Sequence, residues 1–372
     1  MRPTIITALE MRPLDLPLTE PFAIASGTQA LAANVLVSVR LADGTLGLGE
    51  AAPFPAVSGE TQAGTLAALE RLRPLVVGSD AGAWRPLGAR LAIAESAAAA
   101  ARCAVEMAVL DALARHYAMP LHVFFGGAGT VLETDMTITS GDAAHAARSA
   151  QAISARGIKT IKVKTAGVDV AADVERLLAI HAAVPGAPLI VDGNCGYSVE
   201  RALQFVGRLR AAGIDLALFE QPLPREDWSG MARLVREAGV PIAADESARS
   251  AADVLRLVQQ NAASVINIKL MKAGVAEALR MIGIAQAAGL GLMIGGMVES
   301  ILAMTFSAHL AAGSGGFGFV DLDTPLFIAE HPFSGGFAQS GGTLALDNTP
   351  GHGVRIAASI EGADLSADRS QE

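Results

Sequence analysis

The chain has 372 residues, 51% of them apolar and only 17% charged, enough to fill more than one core and the opposite of a disordered composition. Its 28 basic and 37 acidic residues leave a net charge of −9 without any Lys/Arg-rich run, so no nucleic-acid or anionic-membrane partner is expected. Two cysteines, Cys103 and Cys195, are too few for a disulfide framework and suit a reducing, cytoplasmic setting.

The opening segment MRPTIITALEMRP carries Glu10 and two prolines and lacks the apolar core of a signal peptide. Asn34–Arg40 alternates apolar and polar residues, turns at Ala42-Asp43-Gly44 and resumes at Leu46–Glu50, the pattern of an antiparallel hairpin. Helical spacing follows over Glu60–Val77 and Ser96–Tyr117, until Pro120 and Gly126-Gly127 stop it. Mean hydropathy is +0.41, yet the most apolar stretch, Ala94–Ala114, is broken by Glu95, Arg102, Glu106 and Asp111. It reads as a buried helix of a soluble protein rather than a membrane span. Residues 1–128 are thus expected to form an α+β domain.

After Gly129 a strand-then-helix beat sets in. Apolar runs stand at Thr134–Thr139, Thr160–Lys164, Leu189–Asp192, Leu216–Glu220, Pro241–Asp245, Val265–Leu270, Leu292–Met297 and Gly318–Asp323, with Ala-rich amphipathic segments between them. Successive run ends lie 24 to 28 residues apart, which predicts an α/β fold of (β/α)8-barrel type over residues 129–323. An open doubly wound sheet would need its glycine fingerprint at the start of a helix. Here Gly313, Gly315 and Gly318 lead into a strand instead. Residues 324–372 add no further beat and are expected to return to the first domain, with a frayed tail after Leu365.

The run ends carry charge, and barrels of this kind place their chemistry at the C-terminal ends of the strands. Asp192, Glu220 and Asp245 end three successive runs, an all-oxygen set suited to Mg²⁺. Any one of them, taken alone, is equally compatible with a cap for the next helix. Period 2 puts Lys162 and Lys164 on one strand face, where mutual repulsion is expected to lower the pKa of at least one. Lys269 falls four strands later, across the ring. A lysine on each face of a substrate carbon suits moving a proton off one side and onto the other. Asp321 and Asp323 repeat the same-face spacing with opposite sign and suit a substrate ammonium. Glu299, after the seventh run, is a further candidate. None of the seven histidines stands at a run end.

The motifs IKVKT (161–165), VDGN (191–194), FEQP (219–222), ADES (244–247) and NIKLMKAG (267–274) together resemble the muconate-lactonising-enzyme subgroup of the enolase superfamily. Within it, Asp321-Leu322-Asp323 resembles the dipeptide epimerases. The resemblance implies a modified TIM barrel with a capping domain formed by the N-terminal third and the C-terminal segment. It implies that Asp192, Glu220 and Asp245 bind Mg²⁺, that Lys164 and Lys269 are the acid/base pair, and that Lys162 supports Lys164. Asp321 and Asp323 would hold the α-ammonium of a dipeptide, a small-molecule partner. Proton abstraction gives an enediolate, and reprotonation from the other face inverts the C-terminal residue of an L,L-dipeptide. The alternatives inside the superfamily are a cycloisomerase or dehydrating lyase of the muconate lactonising or o-succinylbenzoate synthase type, or an N-acylamino-acid racemase. Relatives acting on Ala-Glu carry an arginine in the first capping loop, whereas PFAIASGT (21–28) has none, so an acidic C-terminal residue lacks its partner. Phe22, Ile24, Phe54 and Val57 suit an apolar pocket, with Met297 and Glu299 near it, while Glu60 leaves room for a cationic side chain. Assembly into a homo-oligomer is left open by these features.

Overall fold

Alternating apolar residues and a tight Asp-Gly turn make a hairpin, and here the hairpin is extended by a third strand. The structure, a computed structural model, describes residues 3–24, 27–139 and 141–357, leaving aside the side chains of 20–24 and 27–29. Strands β1 (Ile6–Ile24), β2 (Gly27–Leu41) and β3 (Leu46–Ala51) form an antiparallel sheet in the order β1-β2-β3. The expected hairpin is β2–β3; β1 has no counterpart in the sequence reading. Its Pro13 and Pro17 interrupt a strand pattern, and they are tolerated because β1 pairs only with β2 at the sheet edge.

Helices α1 (Pro55–Ser58), α2 (Gln62–Val76), α3 (Trp84–Ala94), α4 (Ala99–His116) and α5 (Leu121–Phe124) follow. Residues 99–114 of α4 are buried on every side. A Cβ at Gly49 would lie 2.1 Å from Ala104 O, and one at Gly47 2.1 Å from Ala108 O, so α4 rests directly on the backbone of β3. The charges that interrupt its apolar run are all spent. Arg102 donates to Glu95 O and Ser96 O, and Asp111 accepts from Leu48 N and His352 N. Among the described residues no helix is long and apolar enough to cross a membrane.

After β4 (Val131–Glu133) comes one parallel eight-stranded sheet in strictly sequential order. Its strands are β5 (Met136–Ile138), β6 (Ile161–Lys164), β7 (Leu189–Asp192), β8 (Leu218–Glu220), β9 (Ile242–Ala244), β10 (Val265–Lys269), β11 (Gly291–Gly295) and β12 (Phe317–Val320). Sequential order is what a barrel requires and a doubly wound sheet forbids. The seam is joined by Asp135 N donating to Val320 O at 2.9 Å and Leu322 N to Thr134 Oγ1 at 3.0 Å. Between strands run α6 (Ala143–Ala155), α7 (Val170–Ala183), α8 (Val199–Ala211), α9 (Trp228–Glu237), α10 (Ala251–Gln260), the short α11 (Leu270–Ala273) with α12 (Val275–Ala287), and α13 (Ile301–Ser314). The last strand leads into a 3₁₀ turn at Thr324–Phe327 rather than an eighth helix.

Beyond the barrel, β13 (Phe333–Ser334) pairs with β16 (Arg355–Ile356), and β14 (Ala338–Ser340) and β15 (Thr343–Ala345) join β4. The segment then reaches α4, where Arg115 donates to Val354 O at 2.7 Å. The tail expected to fray after Leu365 lies outside the described residues.

Two buried carboxylates of the N-terminal layer cap barrel helices. Glu50 of β3 accepts from Ser300 N (3.0 Å), Ser300 Oγ and Ala303 N (3.3 Å) at the start of α13. Glu106 of α4 accepts from Ala276 N (2.9 Å) at the start of α12. Both satisfy N–H groups that a helix leaves unpaired in its first turn. Asn34 joins them to the barrel loop, donating to Glu50 Oε1 (2.7 Å) and Val298 O (2.9 Å). The contact between Gly49 and α4 involves backbone on both sides and has no flexible side chain to yield. Gly49→Ala is therefore expected to lower unfolding free energy by about 3 kcal/mol, read from denaturant midpoints at unchanged m-value.

Candidate active site

Charged residues at the ends of buried apolar strands survive only if they find partners. Those partners come from neighbouring strands. Lys164 and Asp192 are aligned across β6–β7, and Asp192 and Glu220 across β7–β8. Lys164 Nζ lies 3.0 Å from Asp192 Oδ2. Lys162, 1% exposed, places its ammonium 2.7 Å from Glu220 Oε2, 2.6 Å from Asp321 Oδ2 and 3.4 Å from Asp192 Oδ2. Across the ring, Lys269 Nζ is 2.7 Å from Asp245 Oδ2, and Lys272 binds Asp245 Oδ1 from the other side. Asn267 donates to Glu220 Oε1 at 2.6 Å.

The helix-capping reading of the three acids does not hold. The helices after their strands are capped by Ser198, Asp227 and Ser250. Asp192, Glu220 and Asp245 are thus free of that task, but their oxygens face the ammoniums of Lys162, Lys164, Lys269 and Lys272 and do not gather within 4.8 Å of one another.

The expected drop in a lysine pKa within the Lys162/Lys164 pair is overturned for Lys162. Burial pulls its pKa down, but Asp321, Glu220 and Asp192 together outweigh it and hold the ammonium well above the usual lysine range. Lys269 likewise is shifted upward, burial opposing and Asp245 and Glu220 prevailing. The lysine lowered by burial is Lys272, which the sequence reading left without a role. On the acid side, burial pushes Glu220 up to about 6, aided by Asp192. The two lysines beside Asp245 carry its carboxyl below the usual range in spite of burial.

A second acid group stands beyond Lys162. Carboxylate oxygens of Asp135, Asp321 and Asp323 all lie within 4.8 Å of one another, and the three residues are buried. Asp323 Oδ2 accepts from Thr137 N at 2.7 Å. The same-face argument for Asp321 and Asp323 does not apply, because β12 ends at Val320 and both lie in the following loop. They reach the mouth all the same.

Several of these groups line a cleft at the mouth of the barrel. Lys162, Lys164, Asp245, Lys269, Asp321 and Asp323 form its polar floor, with Phe54, Val57 and Met297 as an apolar wall. Phe22 and Ile24 belong to β1, but their side chains lie outside the described residues. Glu60 does not line the cleft; its Oε1 accepts from Ala100 N at 3.1 Å. Glu299 is fully buried behind the wall, not in the cleft, and its Oε1 accepts from Met297 N at 2.8 Å.

Sequence reasoning passed over Asp135, Thr137, Asn194, Glu246 and Gln221. Gln221 has φ 33° and locks two strand-end turns together, its Oε1 accepting from Asp245 N (2.9 Å) and Ser247 N (3.1 Å). Asn194 and Cys195 also have positive φ, so the strain gathers where the acids converge. The visible signal for Asp135 was its period-2 spacing to Thr137 at the head of an apolar run.

Comparison with known proteins follows the same outline. Residues 7–126 match the family model described as mandelate racemase / muconate lactonizing enzyme, N-terminal domain, and residues 144–360 the one described as enolase C-terminal domain-like. The chain is similar to the aromatic dipeptide epimerase of Herpetosiphon aurantiacus, 72% identical over 355 residues that span 95% of this chain and 100% of that protein. A crystal structure of a mandelate racemase/muconate lactonizing protein from the same organism matches with TM-score 0.95 at 71% identity, covering 96% of this chain and 100% of that one. The dipeptide epimerase of Enterococcus faecalis V583, solved with Mg and the dipeptide L-Leu-L-Tyr, matches with TM-score 0.91 at 31% identity, covering 94% and 99%.

The wall residue Met297 depends on Glu299, whose Oε2 has no hydrogen-bond partner and whose pKa burial lifts from 4.5 to about 8. A raised acid contributes stability that is present below its unfolded pKa and is lost as pH rises through the folded one. Glu299 therefore lowers stability progressively between pH 4.5 and about 8. Glu299→Gln is expected to flatten that slope in pH-dependent denaturant melts, by roughly 5 kcal/mol across the window.

Proposed function

The chain belongs to the mandelate racemase/muconate lactonizing enzyme family of the enolase superfamily, and we propose that within it Lys164 and Lys269 move the α-proton of a dipeptide's C-terminal residue between opposite faces. The protein is an isomerase, a Mg²⁺-dependent dipeptide epimerase. The observation that carries the reading is the placement of Lys164 and Lys269 on β6 and β10, half a ring apart and both lining the cleft.

Asp192, Glu220 and Asp245 would hold Mg²⁺. They are hard oxygen donors at the ends of three adjacent strands, with no histidine or thiolate among them, a donor chemistry that suits this ion, although here lysine ammoniums stand against all three. When bound, Mg²⁺ supplies Lewis-acid stabilisation of a substrate carboxylate that gains negative charge as the α-proton leaves. The residues of the chain do the rest. Asp245 holds the proton on Lys269, so neutralising that carboxylate lets Lys269 give up its proton and act as a base. Lys162 keeps its ammonium beside the developing charge. Asp321 and Asp323, separated from the metal acids by Lys162, receive the substrate's α-ammonium. That pair favours a dipeptide over the substrates of cycloisomerases, lyases and N-acylamino-acid racemases, which have no such cation to place there.

Phe54, Val57 and Met297 form an apolar wall, and a 72%-identical relative is an aromatic dipeptide epimerase. Both support dipeptides carrying an aromatic residue as the preferred substrates. A reducing cytoplasmic location suits the two free thiols, Cys103 and Cys195.

Incubation with Mg²⁺ and pooled L,L-dipeptides in D₂O tests the reaction. Aromatic dipeptides are expected to gain one deuteron by mass spectrometry and to appear as epimers on chiral analysis, with both signals lost on chelation. Lys269→Ala is expected to slow epimerisation by roughly 10³-fold. Exchange confined to N-acylated amino acids would replace this reading with the racemase.

A further inference from the structure

Three carboxylates at such close quarters cannot all stay ionised unless enough cations face them. Asp135, Asp321 and Asp323 meet one ammonium, that of Lys162, and it is shared with Glu220 and Asp192. Asp135 is 1% exposed, and neither of its carboxyl oxygens has a hydrogen-bond partner among the described residues. Carboxylate oxygens only accept, so two facing carboxylates bond only when a proton lies between them. Asp135 is not part of the cleft lining. It lies behind Asp321 and Asp323, on the seam where its own N–H joins Val320 O.

We propose that Asp135 is a third acid of the ammonium site, sharing a proton with Asp323 in the free enzyme, and that this proton passes to solvent when the dipeptide's α-ammonium docks. The arriving cation takes over the charge that the proton had balanced, so one positive charge replaces another. Asp135 touches no substrate in this arrangement and acts through the two acids in front of it, as a positioning residue. The charged groups that face it are Asp321 and Asp323 after β12, Lys162 on β6 and Glu220 on β8. Burial raises Asp135, with Asp321 and Asp323 adding to it. Burial and then Asp321 raise Asp323 to about 7. The proposal rests on the reading of Asp321 and Asp323 as the ammonium site.

The test is titration calorimetry of the full, Mg²⁺-loaded chain with an aromatic dipeptide that exchanges in D₂O. Runs in PIPES and in bis-Tris at about pH 6.5, where the dipeptide amine is almost fully protonated, give the protons released from the dependence on buffer enthalpy. The wild type is expected to release roughly half to one proton per dipeptide bound. Asp135→Asn, or Asp135→Ser should the amide variant not fold, is expected to release none of it, and Asp135→Glu to restore it. Absence of release in the wild type, or equal release in the Asn or Ser variant, overturns the proposal. So does a second Mg²⁺ bound per chain that vanishes with Asp135, since the triad would then be a metal site. Loss of D₂O exchange in the wild type would count instead against the epimerase reading, so the two failures are distinguishable.

Discussion

An ammonium inside a barrel stays charged only if acids surround it, and Lys162 organises this protein around that requirement. It draws in carboxylates from β7, from β8 and from the loop after β12, the last of them 159 positions along the chain from it. Burial alone would favour the neutral amine. Because the acids prevail, Lys162 becomes a fixed positive charge and divides the acidic mouth in two. On one side stand the acids suited to a dication, on the other the acids suited to an ammonium. On the proposed reading, a zwitterionic substrate lies across the cleft with each end directed to its own charge.

The lysines at the rim are held differently. Each has one principal acid beside it, Asp192 for Lys164 and Asp245 for Lys269, and both acids belong to the set suited to Mg²⁺. On the proposed reading, ion binding and base strength are coupled at Lys269 through a shared carboxylate. No separate device is needed to keep the base silent until the site is complete.

Much of this was legible in the sequence because buried parallel strands read as short apolar runs, and a charge that ends such a run is conspicuous. Asp192, Glu220 and Lys269 stand where the runs end. Asp245, Met297, Asp321 and Asp323 lie just past their strands, so arguments from strand period did not describe them. The strand β1 was hidden by prolines that only an edge position accommodates. Lysine electrostatics went wrong for a related reason. Spacing along one strand displays the like charge two residues away and conceals the opposite charges that the fold brings from other strands. Glu50 and Glu106 were equally silent, each being an ordinary acid until its distant partners are known.

Glu50, Glu106 and Asn34 end on backbone groups of α13, α12 and the loop that carries Met297. The N-terminal layer is thereby fitted to its own barrel and is not an interchangeable lid. Grafted onto a related barrel whose loops ran half a residue differently, it would carry two buried acids stripped of their helix donors, Glu50 keeping only Asn34, each at a cost of about 1–3 kcal/mol. Exchange of whole lids is therefore a poor route to new substrates in this architecture. Diversification is left to single residues on the wall, such as Phe54, Val57 and Met297, which can change size without disturbing the joint.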